Sequence, residues 1–295
     1  MKRKGKRVTE DKASIYAARF ERLLDYIDLH LDNALSVEEL SREANFSRFH
    51  FQRQFSHYVG MSVTRYVQLL RLRRASYQLA FEPHRRIIDI ALDAGFENPE
   101  SFSRAFKNCF GQTPSQFRDQ PAWQPWTERM QLPERQRSIP MEVKVVDFAE
   151  TMIAVLEHQG PPELIFESVQ TFIDWRKSSG LSPIATSRTF GLAYSDPATT
   201  PPAEFRFDVC GEISSPVPAN PQGVVTKRIP AGRYATVRHH GSTDRISGSA
   251  YYLYREWLPQ SGEELGDFPP FFHYVTRIPD VPEHEQVTDI YLPLK

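Results

Sequence analysis

One short stretch combines side chains that can read DNA bases with a spacing that places them on one side of a helix. Phe49, Gln52 and Arg53 follow one another at i, i+3 and i+4 and therefore share a face. Arginine pairs bidentately with guanine, glutamine pairs with adenine, and an aromatic ring can touch the methyl group of thymine. Arg48, at the start of the same stretch, is placed for a contact with a phosphate or a base edge.

A second stretch further along the chain is a near-copy of the first. Phe51 is matched by Phe102 and Phe55 by Phe106, at a constant offset of 51 residues. A constant offset indicates one supersecondary unit used twice. The polar side chains that lie away from the phenylalanines of the second copy are Glu100, Ser101, Ser103, Arg104 and Lys107. Glutamate accepts from the amino group of cytosine and serine suits several bases, so the two copies are expected to read different sequences.

Arginine and glutamine on the outer face of a single helix are commonly just solvated. Two copies of one unit, with Arg53 and Arg104 at the same place, are hard to explain in that way. We therefore expect both stretches to be recognition helices for double-stranded DNA. Since most of the reading positions differ between the copies, the expected operator is asymmetric rather than palindromic.

Helical periodicity supplies the elements that would hold these stretches. Helices are predicted over residues 16–32, 36–45, 48–59, 62–81, 87–94 and 98–110, with a short one from 113. Ser36 opens a capping box, Asn98 is an N-cap residue followed by Pro99, and Gly60 and Gly111 end the two copied helices. These signals predict an all-α domain over residues 16–120, preceded by a basic flexible tail over 1–15.

Beyond residue 120 the texture of the sequence changes. Residues 121–140 are rich in proline and predict a linker, although Trp123 and Trp126 are expected to pack onto a domain. Residues 141–295 alternate in the manner of strands and contain a second internal repeat. Each half of this repeat has a strand or strand pair (143–157, 227–238), a helix with a tryptophan (166–175, 250–257), an aromatic strand (191–194, 271–274) and a last strand (204–209, 286–292). We expect two β-α-β-β halves in one sheet, with both helices on one face and a cleft along the pseudo-two-fold axis.

The distribution of charge agrees with a division of labour between the two parts. Residues 1–120 carry 20 Lys+Arg against 15 Asp+Glu, or +5, and residues 121–295 carry 16 against 22, or −6. A basic half suits nucleic acid as a partner. The two cysteines, Cys109 and Cys210, allow neither a disulfide framework nor a zinc site, which favours the cytoplasm. No signal peptide or membrane-spanning run is apparent.

The sequence offers little sign of a metal site or a catalytic site. His239 and His240 are adjacent, so on a strand they point to opposite faces and cannot ligate one metal together. There is no glycine-rich phosphate loop and no nucleophile elbow in the sequence. We therefore expect no metal, no cofactor and no enzymatic activity.

Residues 16–120 resemble the DNA-binding domain of AraC/XylS-type transcription activators. The resemblance rests on Phe46-Ser-Arg-Phe-His-Phe-Gln-Arg-Gln-Phe55, Ile90-Ala-Leu-Asp-Ala-Gly-Phe96, Phe102-Ser-Arg-Ala-Phe-Lys107 and Gly111-Gln-Thr-Pro114. It implies two helix-turn-helix units, joined by a long helix, that enter adjacent major-groove segments, and it suggests RNA polymerase as a further partner. Val63 and Pro99-Glu100 depart from the usual pattern, and the acidic residue suggests a different target for the second unit.

Residues 141–295 resemble the GyrI-like effector-binding domain. The resemblance rests on Ile229-Pro-Ala-Gly-Arg-Tyr-Ala235, Leu258-Pro-Gln-Ser-Gly262 and Thr288-Asp-Ile-Tyr-Leu-Pro293. It implies a small-molecule effector in an aromatic cleft, for which the candidates here are Trp175, Tyr194, Tyr234, Tyr254, Trp257, Phe272 and Tyr274. The family usually has a carboxylate where Phe272 stands, so we expect a hydrophobic or aromatic ligand without positive charge. Glu157, Glu256 and Asp289 are the acids that would otherwise serve, but solvated or ion-paired roles suit them better.

These observations favour a monomeric, cytoplasmic transcriptional regulator that binds DNA and senses a small molecule. Two other hypotheses differ only in the C-terminal half, which would be a small-molecule hydrolase or a module for protein partners. The loss of an acid at Phe272 argues against the hydrolase.

Overall fold

The computed structural model describes residues 18–130, 132, 141–276, 281 and 283–295, apart from the side chains of Arg48, Phe49 and Glu283. The chain divides into two compact units between Arg137 and Ser138. The tail predicted over residues 1–15 lies outside the described residues. The two units are taken in turn.

The first unit is helical throughout its described part. Its helices are α1 over residues 18–29, α2 Val37–Glu43, α3 Arg48–Val59, α4 Val63–Phe81, α5 Ile87–Asp93, α6 Pro99–Phe110, α7 Pro114–Asp119 and α8 Trp123–Arg129. The side chains of Ser36, Asn98 and Thr113 each accept a hydrogen bond from the third residue of the helix that follows. The predicted capping box at Ser36 accordingly forms on its serine side, and Thr113 with Gln116 forms a complete one.

The helix α8 corrects part of the predicted linker over residues 121–140, of which residues 131 and 133–140 lie outside the described residues. Trp123 and Trp126 are buried, and their rings pack against those of Tyr77, Phe110 and Phe117 of the helical core. The indole nitrogen of Trp126 also donates to the hydroxyl of Ser76, at 2.8 Å. Burial of two indoles outweighs the conformational preference of the prolines around them, so residues 123–129 belong to the helical unit.

The second unit is one antiparallel sheet with helices. Its strands are β1 Val143–Phe148, β2 Thr151–Gln159, β3 Thr189–Ala193, β4 Arg206–Glu212, β5 Val225–Ile229, β6 Gly232–His240, β7 Phe271–Tyr274 and β8 Val287–Pro293. Its helices are α9 Ile165–Ser179, α10 Ile246–Tyr252, a π-helical turn Leu253–Trp257 and α11 Leu258–Ser261. The strand order is β1-β6-β8-β7-β3-β4-β2-β5.

The connections require this sheet to curl. Strand β1 ends at Phe148 and β2 starts at Thr151, so the two ends are no more than about 11 Å apart. The same strands are first and seventh in the sheet, which would separate them by about 29 Å if it were flat. The connection from β5 to β6 imposes the same condition at the other edge. The first half of the repeat comprises β1 to β4 and the second half β5 to β8. The halves exchange their first strands, since β1 pairs with β6 of the second half and β5 pairs with β2 of the first.

The predicted two-fold repeat is present, with both helices on one face of the sheet. Phe207 packs both with the cluster under α9 and with the cluster under α10, which defines this helix face. Gly191 of β3 lies directly opposite Phe272 of β7. These two residues are 81 positions apart, as are His158 and His239, so the pseudo-two-fold axis passes through the Gly191–Phe272 pair.

Candidate DNA interface and effector surface

The helix α3 has a buried face and an exposed polar face. Phe51 and Phe55 are fully buried and pack with Phe20 of α1, Tyr66 of α4 and the rest of the first core. Gln52 and Arg53 are exposed, as the spacing predicts. The backbone of Arg48 and Phe49 is helical, but their side chains lie outside the described residues.

Tyr58 occupies an intermediate place on α3. Its ring stacks on Phe20 at 4.5 Å and its hydroxyl donates to Glu21, while 38% of the residue remains exposed. The tyrosine therefore covers the outer side of α1. The helix ends at Gly60, whose φ of +80° favours glycine.

The helix α6 repeats the arrangement with a different polar set. Phe102, Phe106 and Phe110 form the buried face. The predicted reading residues lie away from that face, with Glu100, Arg104 and Lys107 exposed and Ser101 and Ser103 half-buried. The side chain of Asn98 accepts from the backbone amide of Ser101 at 2.8 Å and so fixes the start of the helix. Gly111 ends it with a φ of +82°.

The aromatic residues predicted to line one effector cleft are divided among four environments in the sheet unit. Phe272, Tyr274 and Trp257 pack together on the helix face, in the cluster under α10. Trp175 is buried under α9 and stacks on Phe172 at 5.5 Å.

Two further tyrosines point to the opposite face of the sheet. Tyr234 is buried in the core of that face and donates to the carbonyl of Pro230. Tyr194 donates to Asp208, whose strand neighbours on that face belong to the same core. Tyr254 is 37% exposed on the π-helical turn, next to buried Leu253. A single cleft lined by all seven predicted residues is therefore absent from the described part of this unit.

The centre of the helix face is aromatic and tightly packed. The rings of Phe272 and Phe207 stack at 6.3 Å with an angle of 22°. A side chain at Gly191 would meet the Phe207 ring at 2.4 Å and the Tyr274 hydroxyl at 3.0 Å. Glycine at position 191 thus leaves room for the side chains of Phe207 and Tyr274. Burial of the Tyr274 hydroxyl raises its pKa. Phe207 was not predicted from the sequence, although its alternation with the buried Phe205, just before β4, and with the buried Val209 of β4 could have marked it.

The carboxylates of the central strands all lie on the opposite face and are ion-paired. Asp208 binds Lys227 at 2.8 Å, and the same ammonium binds Glu157 at 2.6 Å. Asp289 accepts two bonds from Arg238, at 2.7 and 2.8 Å.

Glu212 is likewise paired, through two bonds of 2.9 Å from Arg188, which hold the pKa of this carboxyl below its usual range. The hydrogen bond from Lys227 has the same effect on Glu157. These acids are therefore engaged with fixed cations.

The helix face of the four central strands, by contrast, carries no carboxylate. Its residues are Thr288, Ile290 and Leu292 on β8, Phe272 and Tyr274 on β7, Thr189, Gly191 and Ala193 on β3, and Phe207, Val209 and Gly211 on β4. An apolar, aromatic surface of this kind can stack on a flat or hydrophobic molecule. It has no fixed negative charge with which to neutralise a cation.

Two buried histidines join the helices to this face. His158 bonds through Nδ1 with Ser168 of α9 and through Nε2 with the carbonyl of Pro161. His239 does the same with Ser249 of α10 and the carbonyl of Ser242. His240 is exposed on the other side of β6, as the alternation predicts. Within the described residues no group of His, Cys, Asp or Glu could hold a metal ion.

A pair of helix-turn-helix units on one long helix, together with a curled sheet bearing two helices, defines a DNA-binding module joined to a small-molecule-binding module. In the described part of the chain no helix has the length and apolar character needed to span a bilayer. The model of the GyrI-like small molecule binding domain matches residues 141–295, more than half of the chain. The chain therefore belongs to the GyrI-like family, and a helix-turn-helix domain of the AraC type matches residues 40–120.

The chain is similar to proteins that match part of it and to a solved structure that spans most of it. The probable transcriptional regulator YgiV of Escherichia coli K12 is 45% identical over 157 residues, which are 53% of this chain and 98% of YgiV. The right origin-binding protein of the same organism is 37% identical over 101 residues, which are 34% of this chain and 35% of that protein. A cryo-EM structure of EcmrR with DNA covers 86% of this chain and 84% of its own, at 15% identity and a TM-score of 0.45.

Proposed function

We propose that the chain is a sequence-specific transcriptional regulator that reads two adjacent major-groove segments through α3 and α6. The observation that carries the proposal is the repeated helix, in which a buried phenylalanine face supports an exposed arginine, Arg53 or Arg104. The match to the AraC-type domain and the names of the relatives support it. The remaining predicted reading residues, Arg48 and Phe49 among them, belong to the same proposal.

The proposal assigns a non-enzymatic role. Relatives of the chain are named transcriptional regulators, and the acids of the central strands are bound to fixed cations. Two units in one chain make a monomer sufficient for a two-segment site. The protein would act in the cytoplasm, where the free thiols of Cys109 and Cys210 persist, and would work through RNA polymerase.

DNA binding is tested by selecting duplexes with the wild-type protein from a random library and measuring affinities by gel shift. Arg53→Ala and Arg104→Ala should each weaken binding to the selected duplex by about 1–3 kcal/mol. Arg228→Ala removes the same charge from an exposed position of the sheet unit and should bind like wild type. If all three variants bind alike, the helices do not read DNA.

For the effector we propose a small, largely hydrophobic ligand without positive charge. It would contact the helix face around Phe272, with Phe207, Tyr274 and Trp257 nearest to it and Tyr254 on the adjacent turn. The support is the aromatic cluster at the pseudo-two-fold axis and the carboxylate-free helix face of the central strands. Binding would favour one state of the protein and so change its affinity for DNA.

The ligand class is tested with two probes of similar shape, triphenylphosphine oxide and the tetraphenylphosphonium cation. Only the neutral probe should raise the melting temperature of the wild type. Phe272→Glu places a carboxylate on the helix face and should reverse this preference, whereas Val225→Glu places one at an exposed position of the opposite face and should not. Stronger stabilisation of the wild type by the cation would contradict the proposal.

A further inference from the structure

The long helix α4 belongs to both helix-turn-helix units. Its first half packs in the core of the first helix-turn-helix unit through Val63, Tyr66 and Leu70. Its second half packs with the second helix-turn-helix unit, where Tyr77 stacks on Trp123. From Leu70 to Tyr77 the helix rises by only about 10 Å, so the change from one unit to the other takes place over two turns.

Arg71 lies in the middle of α4, between the two halves, and contacts both helix-turn-helix units. Its Nε donates to the carbonyl of Leu31 at 3.0 Å and its Nη2 to the carbonyl of Asn33 at 2.6 Å, both in the segment that follows α1. Its Nη1 lies 2.6 Å from the place that a side chain at Gly95 would occupy. Gly95 follows α5 with a φ of +77°, so the guanidinium fills the space beside the turn between α5 and α6.

Arg74, one turn further along α4, makes a second bridge of the same kind. Its Nη1 forms an ion pair with Asp32 at 2.5 Å, in the segment after α1. Its Nη2 donates to the backbone carbonyl of Asp93, the last residue of α5, at 2.8 Å. The Arg74 side chain is only 12% exposed, whereas that of Asp32 is 53% exposed, so the arginine end of the bridge is buried and the carboxylate end faces water.

The two arginines thus tie the end of α1 to the end of α5. The helix α1 packs directly on α3 through Phe20 and Phe55, and α5 leads through its turn into α6. One base pair more or less between two DNA segments changes their separation by about 3.4 Å and rotates one against the other by about 35°. A protein that reads both segments must therefore fix the distance and the angle between its two recognition helices more closely than these one-base-pair changes.

We propose that Arg71 and Arg74 are positioning residues that fix α3 relative to α6 and thereby set the spacing of the two DNA segments that the protein accepts. This rests on the proposed DNA-binding function. Neither arginine is required to touch DNA. Each would act by restricting rotation of one unit against the other about the middle of α4.

The test uses the duplex selected with the wild-type protein and variants of it with one or two base pairs inserted or deleted between the two segments. The wild type should lose at least about tenfold in affinity for each shifted spacing, because only one unit can then bind well. Arg71→Ala/Arg74→Ala should reduce this discrimination to about threefold or less. Arg228→Ala, an exposed change in the sheet unit, should leave both the affinities and the ratio between spacings as they are in the wild type.

The outcomes separate positioning from stability and from DNA binding itself. If the double variant keeps the wild-type ratio between spacings, the proposal is wrong. Should it fail to fold, as judged by circular dichroism, Arg74→Lys provides the decision, since lysine keeps the ion pair with Asp32 but cannot also reach Asp93 in the same fork geometry. Arg74→Lys should discriminate less than the wild type between the selected duplex and the shifted spacings. An affinity ratio equal to that of the wild type would overturn the proposal. Absence of a two-segment duplex from the initial selection would instead show that the proposed function itself fails.

Discussion

Replacing Lys227 by methionine should destabilise the sheet unit far more than loss of an ordinary surface lysine. The ammonium of Lys227 lies between Asp208 and Glu157, and the side chain of Asp208 is only 2% exposed. Without the lysine, Asp208 becomes a buried charge whose remaining side-chain partner is the hydroxyl of Tyr194. Removal of one partner from a buried pair costs about 3–5 kcal/mol, and the remaining hydrogen bond places the expected loss near 3 kcal/mol.

Urea unfolding followed by circular dichroism measures this loss directly. The matched control is Arg228→Met, which breaks a pair with Glu150 whose side chains are both more than half exposed and should cost less than about 1 kcal/mol. A double variant, Lys227→Met with Asp208→Asn, removes the buried charge as well and should regain much of the loss. If Lys227→Met costs no more than Arg228→Met, the reasoning about burial is refuted.

Three further changes have expected outcomes. Gly191→Ala drives a methyl group into the Phe207 ring, 2.4 Å away, and should lower the free energy of unfolding by about 1–3 kcal/mol in thermal melts. Burial lowers the pKa of His273, so the unfolded chain binds a proton more readily. Stability should therefore fall as pH drops below about 6.5, and His273→Gln should flatten that part of the pH profile. Trp126→Phe removes the buried hydrogen bond to Ser76 and should cost the helical unit about 1–2 kcal/mol.

Each of these predictions has a result that would count against it. Gly248→Ala meets no atom within 4 Å, so equal effects of the two glycine substitutions would show that the Phe207 contact is unimportant. A profile between pH 7 and 5 that is the same for wild type and His273→Gln would exclude the histidine as its cause. Wild-type stability of Trp126→Phe would mean that water replaces the Ser76 bond without cost.

The helical unit could be predicted from the sequence because its information is local. Buried phenylalanines, cap residues and glycines after α3 and α6 recur at fixed spacing, and the structure has them in the same roles. The fold class of the sheet unit was predictable from its repeat for the same reason.

What the sequence could not supply depends on contacts between distant residues. The exchange of β1 and β5 between the halves is fixed only when the sheet curls. Tyr194 and Tyr234 lie on the opposite face of the sheet from Phe272. This depends on strand register, since a shift of one residue moves a side chain to the other face of the sheet. The roles of Arg71 and Arg74 arise from the meeting of α1 and α5, which periodicity within either helix does not encode.

The central claim, that two unlike recognition helices read two segments of one asymmetric site, is tested most directly by base-pair scanning of the selected duplex. Every base pair is substituted in turn, and affinities are measured for wild type, Arg53→Ala and Arg104→Ala. Wild type should depend on two separate segments, with Arg53→Ala insensitive to some positions in one segment only and Arg104→Ala to some in the other. A palindromic site, or loss of sensitivity at the same positions in both variants, would contradict the account.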